Sequence, residues 1–90
     1  MTYKIVRWDQ PYGVCQQGEG RIIHNGLTLE EAQETLASKV ERYVADGYDA
    51  ANDGETNEDV IADLRKDRKY VFLAGDEGES TSLRIKEEIQ

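Results

Sequence analysis

Ninety residues suffice for one domain and leave no room for a second, so residues 1–90 are expected to fold as a single unit. With 38% hydrophobic, 33% charged and recurring aromatic residues, the composition argues for a folded chain with a well-solvated surface, and no run approaches the roughly 18 apolar residues of a membrane span. The formal charge of −8 argues against direct contact with nucleic acid or anionic lipid and favours partners with a basic surface.

Tyr3 to Trp8 predicts a strand, because it is β-branched and aromatic and ends at the turn residues Asp9-Gln10-Pro11-Tyr12-Gly13. Arg21-Ile22-Ile23-His24 predicts a second, bounded by Gly18 or Gly20 and by the pair Asn25-Gly26, and the two make a long-looped hairpin. Thr28-Leu29-Glu30-Glu31 is a capping box, with Thr28 and Glu31 each able to satisfy the other's backbone N–H. Behind it Leu29, Ala32, Leu36, Val40 and Val44 recur at spacings of three or four, the stripe of a long amphipathic helix that stops near Gly47.

Tyr48 to Glu55 predicts a polar loop. Thr56 or Asn57 then caps a shorter helix whose apolar side is Val60, Ile61 and Leu64 and whose end carries Arg65, Lys66, Arg68 and Lys69. Tyr70 to Ala74 predicts a third strand. In the fourth, Thr81, Leu83 and Ile85 share one face while Ser82, Arg84 and Lys86 share the other. The order β-β-α-(α)-β-β predicts an α+β fold, a small antiparallel sheet with one long amphipathic helix packed on one face. Three strands are apolar on both faces, as in Ile5 beside Val6, Ile22 beside Ile23 and Val71-Phe72-Leu73. The second face therefore needs a cover, which could be the short helix with loops, a second subunit in a homodimer, or a partner.

Charge is unevenly divided, −1 over residues 1–45 and −7 over residues 46–90. From Asp46 to Asp63 there are seven acids and no base. Asp49, Asp53, Glu55, Glu58 and Asp59, with the loop aromatics Tyr48 and Tyr12, are the candidate partner-binding residues. Tyr43 and Tyr70 are expected at the edge of the core instead.

No reactive centre is legible. Cys15 and His24 are the single cysteine and histidine, and nothing supplies an orienting third group, so no catalytic residue is assigned. Asp49, Asp53, Gly54 and Asn57 match positions one, five, six and nine of a calcium loop, but Ala51 and Val60 stand at positions three and twelve, where ligands belong. No phosphate-binding glycine pattern occurs. Neither cofactor nor metal is expected. One cysteine and an N-terminus without the apolar run of a signal peptide predict a cytoplasmic protein.

The strand Tyr3-Lys4-Ile5-Val6-Arg7-Trp8, the following Arg21-Ile22-Ile23 and the helix start Gly26-Leu27-Thr28-Leu29-Glu30-Glu31-Ala32-Gln33 resemble small uncharacterised proteins of bacteriophages and related mobile elements. The match covers about the first third of the chain and implies a phage or prophage origin, with no binding residues to carry over. The expected function is a non-catalytic protein-binding module, a phage accessory or inhibitory protein that docks through its acidic 46–63 region or an uncovered sheet face. One alternative is an acidic phosphate mimic of the anti-CRISPR or anti-restriction type, which blocks a nuclease or another nucleic-acid-binding protein. A structural, dimeric protein is the second.

Overall fold

A computed structural model describes residues 1–10, 20–50, 54–75 and 78–88, with Gln10 described in its backbone alone. Strand β1 is Tyr3–Gln10, β2 Arg21–Leu27, helix α1 Leu29–Ala45, α2 Asn57–Leu64, β3 Tyr70–Ala74 and β4 Ser80–Glu87. They form an α+β fold with one four-stranded antiparallel sheet in the order β2-β1-β4-β3. The first and last strands are thus central neighbours, paired from Tyr3 opposite Glu87 to Gln10 opposite Ser80.

Strand β2 corrects the expected boundary at Asn25-Gly26. It runs on to Leu27, because the pairing with β1 absorbs extra residues between Tyr3 and Ile5 and between Ile5 and Val6. Gly26, at φ 67°, takes the left-handed conformation such a bulge favours. The irregularity turns both Ile23 and His24 toward the helices: Ile23 packs on the core and His24 borders α1.

Both helices start as their sequences specify. The Thr28 hydroxyl accepts from the Glu31 N–H at 3.1 Å, and the Thr28 N–H donates to Glu31 Oε1 at 2.9 Å. Thr56 and Asp59 repeat the arrangement on α2. Helix α1 ends in a reverse turn at Gly47, φ 103°, where the Tyr48 N–H donates to the Tyr43 carbonyl and the Gly47 N–H to that of Val44. Asp49 then pairs with Ala74 on the outer edge of β3, and the Asn57 side chain accepts from the Ala50 N–H.

The core is a single layer between the helices and one sheet face. Ile5, Val71, Leu73, Leu83 and Ile85 pack on Ala32, Leu36, Ala37 and Val40 of α1 and on Val60 and Leu64 of α2. Helix α2 therefore lies beside α1 on the same face, and the expectation that the short helix covers the second face is corrected. The reason is legible in the linkage. Arg65 donates from Nε to Glu34 at 2.9 Å and also bonds Glu41, while Gln33 donates to the Lys66 carbonyl, so the C-terminal end of α2 is tied to α1. Among the described residues no helix is long and apolar enough to cross a membrane.

Candidate functional site

Of the described acidic candidates, two are engaged by neighbours within the fold. Glu55 accepts from Arg68 Nη1 at 3.0 Å in a partly buried pair. The Asp59 carboxylate caps α2 at the Thr56 N–H. Asp49 is exposed and tied by its backbone to β3, while Glu58 is exposed on the first turn of α2. Asp53 and Tyr12 lie outside the described residues, as does Cys15. Tyr48, expected as a free contact aromatic, is half-buried with its ring edge-on to Tyr43 at 5.1 Å between centroids. Burial pushes the Tyr43 phenol above its ordinary pKa, partly offset by the Arg7 guanidinium 5.9 Å from the ring. Arginines thus neutralise part of the carboxylate set. Arg65 does the same for Glu34 and Glu41 on α1, and its hydrogen bond holds the Glu34 carboxyl below the usual range.

The calcium-loop pattern fails in three dimensions as well. Val60, at the position of the bidentate ligand, is fully buried in the core, and the Asn57 oxygen is occupied by the Ala50 N–H. Among the described residues no three His, Asp or Glu side chains converge as metal ligands would.

His24 borders an open groove of about 620 Å³ between β2 and the outer surface of α1, with Glu34, Lys39, Arg42 and Asp46 among its walls. Glu34 is engaged by Arg65 and Ser38. The groove's charged lining residues, Glu34, Lys39, Arg42 and Asp46, sum to zero.

The surface that stands out is the helix-free face of the sheet. Strand alternation and register assign its residues: Lys4, Val6 and Trp8 from β1, Ile22 from β2, Tyr70 and Phe72 from β3, and Ser82, Arg84 and Lys86 from β4. One row across the sheet reads Phe72, Ser82, Trp8; the next reads Tyr70, Arg84, Val6, Ile22; Lys86 and Lys4 follow. Ile22 is 51% exposed, Phe72 39% and Tyr70 38%, the only large apolar or aromatic side chains besides Met1 so exposed among the described residues. Tyr70 was expected at the core edge, but its position two residues from Phe72 puts both on the open side of β3.

The cations of this face lie against its rings. The Arg84 guanidinium sits 4.8 Å from the Tyr70 centroid, and Lys86 Nζ sits 5.3 Å from that of Trp8. Lys86 and Trp8 lean toward each other across the row holding Val6, which explains how Val6 is only 3% exposed with no helix above it. Gly20 closes the other side: a Cβ there would stand 2.6 Å from the Trp8 ring and 2.8 Å from Val6 Cγ1. No strand residue on this face is acidic. Lys4, Arg84 and Lys86 make its strand charges +3, with Glu88 following Lys86 just past the end of β4, where it accepts from the Gly26 N–H. The sequence places Arg84 and Lys86 on the opposite face from Leu83 and Ile85, and shows Ile22 beside Ile23 and Phe72 between Val71 and Leu73 without saying which of them faces the helices. It had no means of setting them side by side, because that depends on β1 pairing with β4.

No protein-family model, no curated protein and no solved structure matches this chain.

Proposed function

We propose that this protein is a non-catalytic binding module whose contact surface is the helix-free face of the sheet. The observation that carries the reading is the gathering of Ile22, Tyr70, Phe72 and Trp8 on a face that neither helix covers. A small domain gains little by leaving such rings in water, and apolar patches rimmed by charge are where protein surfaces make contacts. The resemblance of the first third to small phage proteins supports an accessory or inhibitory role as the setting.

Docking through the acidic 46–63 surface, with or without phosphate mimicry, has weaker support, since Glu55 pairs with Arg68 and Asp59 caps its own helix. A capture assay on host lysate separates the two surfaces. The pair Tyr70→Ala and Phe72→Ala should abolish capture of the bound species with the fold intact by circular dichroism. Glu58→Gln should leave capture unchanged. The opposite pattern transfers the contact to the acidic side and refutes the reading.

A further inference from the structure

The helix-free face combines planar rings with cations, and that combination points to a narrower class of ligand. We infer that it is a platform for single-stranded nucleic acid, with bases stacking on Phe72, Tyr70 and Trp8 and phosphates meeting Arg84, Lys86 and Lys4. This rests on the reading of that face as the contact surface. The total charge of −8 argued against any polyanion, but total charge governs only long-range approach. Within a Debye length of about 8 Å at physiological salt, the nearest charges decide, and on this face the strand charges are cationic.

Three observations favour a nucleic-acid strand over other occupants. First, Tyr70 and Phe72 are successive outward residues of one strand, roughly 7 Å apart along β3, so they offer neighbouring ring surfaces to consecutive bases. Second, Arg84 lies over Tyr70 and Lys86 over Trp8, so two of the three rings have a cation beside them for the adjoining phosphate. An exposed cation–ring contact is weak enough for an arriving base to displace, and the released cation then moves to phosphate. Third, the residue between Phe72 and Trp8 in their row is Ser82, whose short side chain lets the two larger rings rise above it. An acidic peptide would use the cations and leave the ring planes idle. A second copy docked face to face would set three cations against three. Duplex DNA keeps its bases stacked inside and has nothing to offer the rings.

The test is fluorescence anisotropy of the full chain with a labelled single-stranded oligothymidylate of twelve nucleotides, against the same length of duplex and a polyglutamate peptide. Contact with phosphates through three cations gives a salt slope of about −2, hence affinity about 20-fold weaker at 200 mM than at 50 mM salt, from a dissociation constant on the order of 10–100 μM. Stacking predicts quenching of Trp8 emission and a loss of about tenfold in Phe72→Leu, which keeps the apolar volume but removes the ring. Lys86→Gln should flatten the salt slope to about −1.4, and Glu58→Gln on the far side should change nothing. Circular dichroism and the urea midpoint confirm that each variant is folded. If the oligonucleotide fails to bind at 50 mM salt, or if polyglutamate binds as well and Phe72→Leu is silent, the inference is overturned. The contact surface itself survives that result if Tyr70→Ala with Phe72→Ala still abolishes capture of a host protein. If those substitutions leave capture intact too, both readings fall together.

Discussion

Leu83 and Phe72 sit on adjacent, paired strands, one residue from direct opposition, yet on opposite faces of the sheet, which makes their truncation a sharp probe of which face is filled. Leu83 is fully buried between the sheet and the helices, so Leu83→Ala loses both the transfer of its side chain and the packing around the void left behind. That should cost about 3 kcal/mol, within the range of about 2–5 for such substitutions. Phe72 is 39% exposed and bordered by water, so its truncation opens no cavity. Only the covered part of the ring counts, and scaling a full-burial value of at most about 3 kcal/mol gives a cost of about 1–2 kcal/mol. With a urea m-value of about 1 kcal/mol per molar, the midpoint falls by about 3 M for Leu83→Ala and by about 1–2 M for Phe72→Ala, both at unchanged m. Total stability for a chain of this size is about 5–13 kcal/mol, so both variants stay folded in water, and Leu83→Val is a milder substitute at the low end of that range. Equal losses at the two positions would refute the reasoning, because they would mean that Phe72 is packed under something in solution. A midpoint for wild type that rises with protein concentration would then identify the cover as a second copy.

Gly20→Ala forces a methyl group into the Trp8 ring and strains a backbone at φ 80°, so it should destabilise by about 1–3 kcal/mol and shift the emission of the single tryptophan, read by fluorescence during urea unfolding. Thr28→Ala removes one half of the α1 capping box and should cost about 1 kcal/mol by the same unfolding assay, with Thr28→Ser close to neutral. Gly47→Ala places a side chain at φ 103° in the turn that ends α1 and should cost about 1–2 kcal/mol, where a neutral result would mean that the helix ends differently. The Glu34 carboxyl is held below its ordinary value of 4.5 by the Arg65 hydrogen bond. Its folded-state pKa is depressed, so its contribution is present above pH 4.5 and fades as pH falls through the folded value. Glu34→Gln should therefore lie slightly below wild type at pH 7 and converge with it toward pH 3, and a gap that widens in acid would contradict the pairing. The effect is small because the pair is largely solvated.

Local structure was open to reading because its causes are local. The Thr28 and Glu31 box, the stripe from Leu29 to Val44 and the stop at Gly47 each depend on residues within a few positions of one another, and each has its expected place. The alternation of β4 was equally plain, since Leu83 and Ile85 must leave water while Arg84 and Lys86 must not. The end of β2 was missed because a bulge at Gly26 arises from the pairing with β1, and nothing in Asn25-Gly26 alone distinguishes a bulge from a turn. Tyr48 and Tyr70 exchanged roles because of tertiary neighbours too: the Tyr43 ring claims one, and an uncovered sheet face leaves the other exposed.

The chain by itself determined how much charge there is, which elements form and that several strands are apolar on both sides. Only the tertiary structure decided which charges are neighbours. Glu55 meets Arg68 across 13 residues and Asp59 turns back to cap its own helix, which breaks up an acidic run that looked continuous in one dimension. Pairing β1 with β4 sets Lys4, Lys86 and Arg84 beside Trp8, Tyr70 and Phe72, so a strongly acidic protein presents a cationic, aromatic face. Sums of charge are fixed by composition, whereas the field at a surface depends on distances within about a Debye length, and folding alone sets those distances.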